Sequence, residues 1–148
     1  MIFYVDGACQ GNGKTENKGG FGVVALDNSE NLLYTYSKLS ENTTNNREEL
    51  KAILYVLLKY GKENDCPIVY SDSAYSINTY TDWMFRWAKA GWHKAKGDIP
   101  ENLDIIKVFY DYWNKGYRIE LRKVKGHAGH SWNEMADDLA TGRIQPNA

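Results

Sequence analysis

Apolar and polar positions fall in blocks whose period changes along the chain. Residues 1–5 read MIFYV, a short unbroken apolar run with the β-branched and aromatic content of a buried strand, bounded by Gly7. A polar, glycine-rich stretch, GNGKTENKGG (11–20), separates it from GFGVVAL and NLLYTYSKL, two further strands with residues 27–30 as a hairpin connection. The period then lengthens. In REELKAILYVLLKYG, Leu50, Ile53, Leu54, Leu57 and Tyr60 follow the i, i+3, i+4, i+7 spacing of one buried helix face, and SENTTNN (40–46) supplies cap-type side chains before it. Pro67 opens a strand, PIVYS, and a tryptophan-rich helical stretch runs from Ser73 to about Trp92. Beyond the loop HKAKGDIP come a helix from about Glu101 to Asn114, the strand RIELRKV, the loop KGHAGH and a last helix, SWNEMADDLATG. The order β-β-β-α-β-α-α-β-α predicts an α/β fold, a mixed five-stranded sheet flanked by helices, within one domain spanning 1–148.

One apolar run ends oddly. FYVDGA (3–8) closes on a carboxylate, and VYSDSA (69–74) repeats the arrangement. In open α/β sheets, ligands sit beyond the carboxyl ends of the parallel strands, where Asp6 and Asp72 both fall. On neighbouring strands the two carboxylates would converge, and their repulsion is tolerable mainly with a cation between them. A single aspartate in such a place is as readily a turn or helix cap; the echo favours a shared site. Glu49 adds a third oxygen, because positions 49, 53, 56 and 60 share the apolar side of their helix. Its neighbour Glu48 better suits an exposed first-turn glutamate that favours the helix dipole. The last helix offers Asp137 or Asp138, and spacing alone leaves both open. Carboxylates without a cysteine or histidine cluster indicate a hard cation, Mg2+ or Mn2+, held with waters and substrate phosphate.

Composition narrows the partners. The 148 residues carry a formal net charge of −1, so a nucleic acid would have to be gripped by a local basic patch. Such a patch exists: Trp83, Trp87 and Trp92 lie among Arg86, Lys89, His93, Lys94 and Lys96, a mixture suited to base stacking and phosphate contact. An amphipathic helix burying its tryptophans is the competing reading, favoured for Trp83. Cys9 and Cys66 stand far apart in no metal-type spacing, which suits a reducing compartment. There is no basic segment followed by an apolar stretch at the N-terminus, and no apolar run nears the ~18 to 20 residues of a membrane span. The expected address is cytoplasmic, with no membrane partner.

Four stretches together carry a family resemblance: DGAC (6–9), TTNNREEL (43–50), YSDSAY (70–75) and VKGHAGHSWNEMADDLA (124–140). With them the chain resembles a type I ribonuclease H over nearly its whole length. The resemblance implies a ribonuclease H-like fold and an acidic tetrad at Asp6, Glu49, Asp72 and Asp137, the family spacing from GHAGH selecting Asp137 over Asp138. It implies two divalent ions, Mg2+ with Mn2+ as an alternative, and a loop histidine at His127. Contacts to the minor groove of a hybrid fall on Asn12, Asn45 and Asn46, and a phosphate-pocket threonine on Thr44. The tryptophan-rich region matches a basic handle, with Trp87 near the DNA strand and Lys89, Lys94 and Lys96 supplying charge. The implied activity is endonucleolytic hydrolysis of the RNA strand of RNA–DNA hybrids, leaving 5′-phosphate and 3′-hydroxyl ends; the chain itself is expected to be a monomer, with no obligate protein partner evident in the sequence. Two departures stand out: Ala74 replaces a common glutamine, and the loop after Asn12 exceeds the usual short Gly-Pro turn.

Other functions fit less of the chain. GNGKT after a strand looks like the end of a P-loop of a nucleotide hydrolase, but its first glycine would fall on Ala8, and ENKGG is a poor start for the helix such a loop needs. A non-catalytic nucleic-acid-binding module would gain nothing from convergent carboxylates, which weaken a hold on phosphates. Zinc at His127 and His130 lacks a further soft ligand near in sequence.

Overall fold

The computed structural model describes residues 1–11, 16–62, 65–124 and 131–147. Its centre is β1 (Ile2–Gln10), which pairs antiparallel with β2 (Lys18–Leu26), and β2 pairs antiparallel with β3 (Leu32–Glu41). On the other side of β1, β4 (Ile68–Ser71) and β5 (Glu120–Lys123) add in parallel, giving the order β3-β2-β1-β4-β5. The mixed five-stranded sheet read from the pattern is present.

β1 reads as a nearly continuous apolar run because both faces of the sheet are covered. Phe3 and Val5 enter one core with Leu50, Ile53 and Leu57 of α1 (Asn45–Tyr60) and Ile106 and Phe109 of α4 (Leu103–Asn114). Tyr4 points to the opposite face, into a smaller core with Ala136 and Leu139 of α5 (Ser131–Thr141). Each large side chain so buried contributes about 1.5–3 kcal/mol. Gly22 is required where α5 crosses β2, because a Cβ there would collide with the Ala136 carbonyl oxygen.

Three local expectations are corrected. β1 does not stop near Val5 but runs on to Gln10, because β2 begins inside the glycine-rich stretch and pairs it throughout, Gly19 with Cys9 and Gly20 with Ala8. The tryptophan-rich segment is not one uniform helix: α2 (Ala74–Asn78) widens into a π-helical turn, Thr79–Trp83, before α3 (Met84–Lys89). There the hydroxyls of Thr79 and Thr81 donate to the carbonyls of Tyr75 and Ile77, both at 2.7 Å, beside the turn where the helical ladder is irregular. On α1, Leu54 and Tyr60 are only half-buried, whereas Glu48 and Ala52 are fully buried, so the covered arc is turned from the expected stripe; Val56 is buried on the side it was expected to share with Glu49 and Ile53.

At the sheet's outer edge, the Thr35 backbone N–H of β3 donates to the Asn147 side chain at 2.8 Å. The Asn147 N–H returns a bond to the Thr35 hydroxyl, also at 2.8 Å. No helix among the described residues is long and apolar enough to cross a membrane.

Candidate active site

The parallel register builds the site. Pairing between β1 and β4 runs from Ile2↔Ile68 to Tyr4↔Tyr70 and ends there. Asp6 therefore stands two residues past the last pair, on the β1 face where Tyr4 stacks on Tyr70 at 4.8 Å, and Asp72 directly follows Ser71, the last residue of β4. Glu49 arrives from the first turns of α1. Its approach depends on Gly7, where any Cβ would strike the Glu49 backbone nitrogen. Asp6, Glu49 and Asp72 each offer an oxygen within 4.8 Å of the others.

The three share an environment hostile to three negative charges. Asp6 and Glu49 are each 6% exposed, while Asp72 is open to solvent. Burial, then the hydrogen bond and repulsion from Glu49, pushes the Asp6 carboxyl up to about 11. Burial likewise pushes Glu49 up to about 7, although its hydrogen bond with Asp6 favours the ionised form; Asp72 and Asp137 add repulsion. Burial and mutual repulsion thus disfavour full ionisation of the pair. The Glu49 Oε2 atom is buried with no hydrogen-bond partner among the described residues. An orphaned buried oxygen beside two further carboxylates, with oxygen the only donor type in the trio, fits a hard divalent cation.

Asp137 lines the same cleft, of about 1220 Å³, together with Asp6, Glu49, Asp72 and Asn45. Asp138 is not among the cleft-lining residues; its carboxylate accepts from Arg143 at 3.0 Å, and Arg143 reaches Asp137 at 3.2 Å. Arg143 was not anticipated. The only hint was its place just past Gly142, whose φ of 78° turns the chain back at the end of α5.

Thr44 is the N-cap of α1, its hydroxyl accepting from Arg47 N–H at 3.1 Å, and Asn45 and Asn46 follow in the first turn, exposed. Glu48, expected on the surface, is fully buried and accepts from the Thr43 hydroxyl at 2.6 Å and from Lys51 at 3.0 Å. Partners inside the fold, invisible in the helix pattern, draw it in. In the handle, the half-buried rings of Trp83 and Trp87 lie 5.7 Å apart, and Lys89, Lys94 and Lys96 are exposed. Asn12, His127 and His130 lie outside the described residues. The P-loop alternative fails on structure: the chain after residue 16 enters strand β2, where a helix N-terminus would have to face the phosphates.

A mixed sheet of this order with carboxylates gathered where its central parallel pairing ends corresponds to the ribonuclease H-like nuclease class. The comparisons agree. The RNase H family profile matches residues 1–145. Ribonuclease H of Thermoanaerobacter sp. (strain X514) is 38% identical over 146 residues, covering 97% of this chain and 89% of the relative. Ribonuclease HI of Haemophilus ducreyi (strain 35000HP) is 39% identical over 140 residues, covering 93% and 85%. Among solved structures, LC9-RNase H1, described as a type 1 RNase H with the type 2 active-site motif, is 32% identical with a TM-score of 0.77, covering 99% of this chain and 74% of that one. LC11-RNase H1, solved with an RNA/DNA hybrid, shares the fold at 21% identity and a TM-score of 0.63, covering 95% and 94%. The chain belongs to the ribonuclease H family, and it is a ribonuclease.

Proposed function

We propose that residues 1–148 form a single catalytic domain that hydrolyses the RNA strand of RNA–DNA hybrids endonucleolytically with two divalent ions, giving 5′-phosphate and 3′-hydroxyl ends. The observation that carries this reading is the meeting of Asp6, Glu49 and Asp72 within 4.8 Å around a buried, unpartnered carboxylate oxygen. Family membership and the hybrid bound by a neighbour of the same fold support the substrate class.

Asp6, Glu49, Asp72 and Asp137 would hold the ions, with Asp6 central because the other three all act on its carboxyl. When bound, divalent ions at such a site supply Lewis-acid stabilisation of phosphodiester charge and favour deprotonation of water; Mg2+ suits all-oxygen ligands, and Mn2+ can substitute. The remaining work belongs to the chain itself. Asn45 and Asn46, with Asn12, would read the minor groove and the 2′-hydroxyls that separate RNA from DNA. Thr44 would contact a phosphate from the capped end of α1. Trp87 and the charges of Lys89, Lys94 and Lys96 would hold the DNA strand, and His127 would move a proton at the scissile phosphate.

The deciding experiment uses a labelled RNA–DNA hybrid, with duplex DNA, duplex RNA and ATP as controls, with and without Mg2+ or Mn2+. Metal-dependent cutting confined to the RNA strand is expected. An intact hybrid in both metals, or release of phosphate from ATP, would sink the proposal.

A further inference from the structure

The lengthened 11–20 stretch has a described end, and that end grips the neighbouring segment. The Asn17 side chain closes a reciprocal pair on the Thr43 backbone: Asn17 Nδ2 donates to the Thr43 carbonyl at 3.0 Å, and Thr43 N–H donates to Asn17 Oδ1 at 2.8 Å. Asn42 N–H adds a bond to the Asn17 carbonyl at 3.0 Å. From below, the Thr43 hydroxyl donates to the fully buried Glu48 at 2.6 Å, and the Cys9 thiol lies 3.4 Å from the Thr43 carbonyl. Lys51 completes the support by bridging Glu48 at 3.0 Å and the Ser40 hydroxyl at 2.6 Å.

Two features set this arrangement apart. Asn42 adopts φ of 52°, in the left-handed region that few non-glycine residues occupy and asparagine more readily than most. Glu48 keeps a carboxylate in the interior with its Oε1 atom buried and unpartnered among the described residues, which burial penalises. Folding stability alone would favour an apolar side chain at position 48. What the cost secures is the position of Thr43, and Thr43 immediately precedes the capping Thr44 and the first-turn Asn45 and Asn46.

We infer that Asn17 and Glu48 are positioning residues: a two-sided clamp on Thr43 that fixes Thr44 for a backbone phosphate and Asn45 and Asn46 for the minor groove of the hybrid. The inference rests on the reading that those three residues meet the substrate. It gives Asn17 a task, holding the segment that reads the nucleic acid. A preset segment loses little freedom on binding, so the clamp acts on recognition rather than on the chemical step.

Asn17→Ala, Glu48→Ala and Glu48→Gln test it, each compared with the unaltered protein on one hybrid. Glu48→Gln keeps a carbonyl oxygen for both Thr43 and Lys51 and places its amide at the unpartnered Oε1 position. Removing the clamp should raise KM about tenfold with kcat held within about twofold, whereas Glu48→Gln should stay near the unaltered protein. Hydrogen exchange of the free protein supplies a substrate-independent readout: amides of residues 42–47 should exchange at least about tenfold faster in Asn17→Ala. Asn17→Ala changes no core residue, so it remains informative if Glu48→Ala does not fold. Unchanged KM with unchanged exchange would show that the clamp holds nothing. Faster exchange with unchanged KM would make it structural only and overturn its role in recognition. Should the unaltered protein leave the hybrid uncut, the substrate reading falls and the positioning role falls with it, whatever the exchange rates show.

Discussion

At the sheet end, oxygens from β1, α1 and the turn after β4 meet within 4.8 Å, two of the three side chains being buried. Along α3 and the turn beyond it, Lys89, Lys94 and Lys96 stand separately in solvent beside half-buried Trp83 and Trp87. The first region is defined by strand register: moving β4 by one residue would carry Asp72 about 3.3 Å along β1, away from Asp6. The second depends on no single register, since charges that meet phosphates act through counterion release and add roughly one by one. Chemistry demands convergence of groups that would otherwise repel; grip needs only the right sign of charge along a surface.

The comparison is broken most sharply at Asp6. Asp6→Asn should lower hybrid cleavage by at least about 10³-fold while leaving the metal-free melting temperature equal or higher, because a repelling buried carboxyl is removed. Retention of more than a few percent of activity would deny Asp6 its central place. His127→Ala should follow, with about 10 to 10³-fold lost from kcat and hybrid affinity nearly unchanged. A loss seen only in binding would make His127 a phosphate contact.

In the handle, converting Lys89, Lys94 and Lys96 together to alanine should weaken binding and flatten its salt dependence. The slope of log K against log salt should drop by about 0.9 for each phosphate that is no longer neutralised. A slope that does not move would leave these lysines as solubilising groups only. The smallest effect is one of stability. Asp6 and Glu49 titrate higher in the folded chain than in the unfolded one, so the metal-free fold binds extra protons once the pH passes the ordinary carboxylate range. Stability should therefore be greatest at acid pH and decline as pH rises through about 7, where Glu49 ionises. Melting in chelator at pH 5 and pH 8 checks this; a higher melting temperature at pH 8 would contradict it, and Asp6→Asn should flatten the difference.

Much of this was legible in the residues, and the failures have physical causes. Apolar runs and helical spacing revealed the strands and α1 because those elements bury one face or two. Asp6 and Asp72 were visible as carboxylates closing apolar runs. The extension of β1 was hidden because Gly7 to Gln10 look like a turn until β2 supplies partners. Glu48 was misplaced because its burial depends on Thr43 and Lys51, neighbours that no helical pattern encodes. The π-helical turn escaped for a similar reason: threonine hydroxyls take up carbonyls there without altering the apolar spacing. Asp137 and Asp138 are adjacent on one helix, and only packing of α5 against the sheet separates their surroundings.

The bonds between Asn147 and Thr35 have a consequence for colloidal behaviour. An uncovered edge strand is a template on which another chain can add by backbone pairing, and β3 is long, with Leu32, Leu33 and Leu39 exposed. The Asn147 amide occupies a backbone donor in the middle of that edge, as a competing strand would. Replacing Asn147 by alanine would free that donor and invite sheet-to-sheet aggregation without touching a single residue of the cleft.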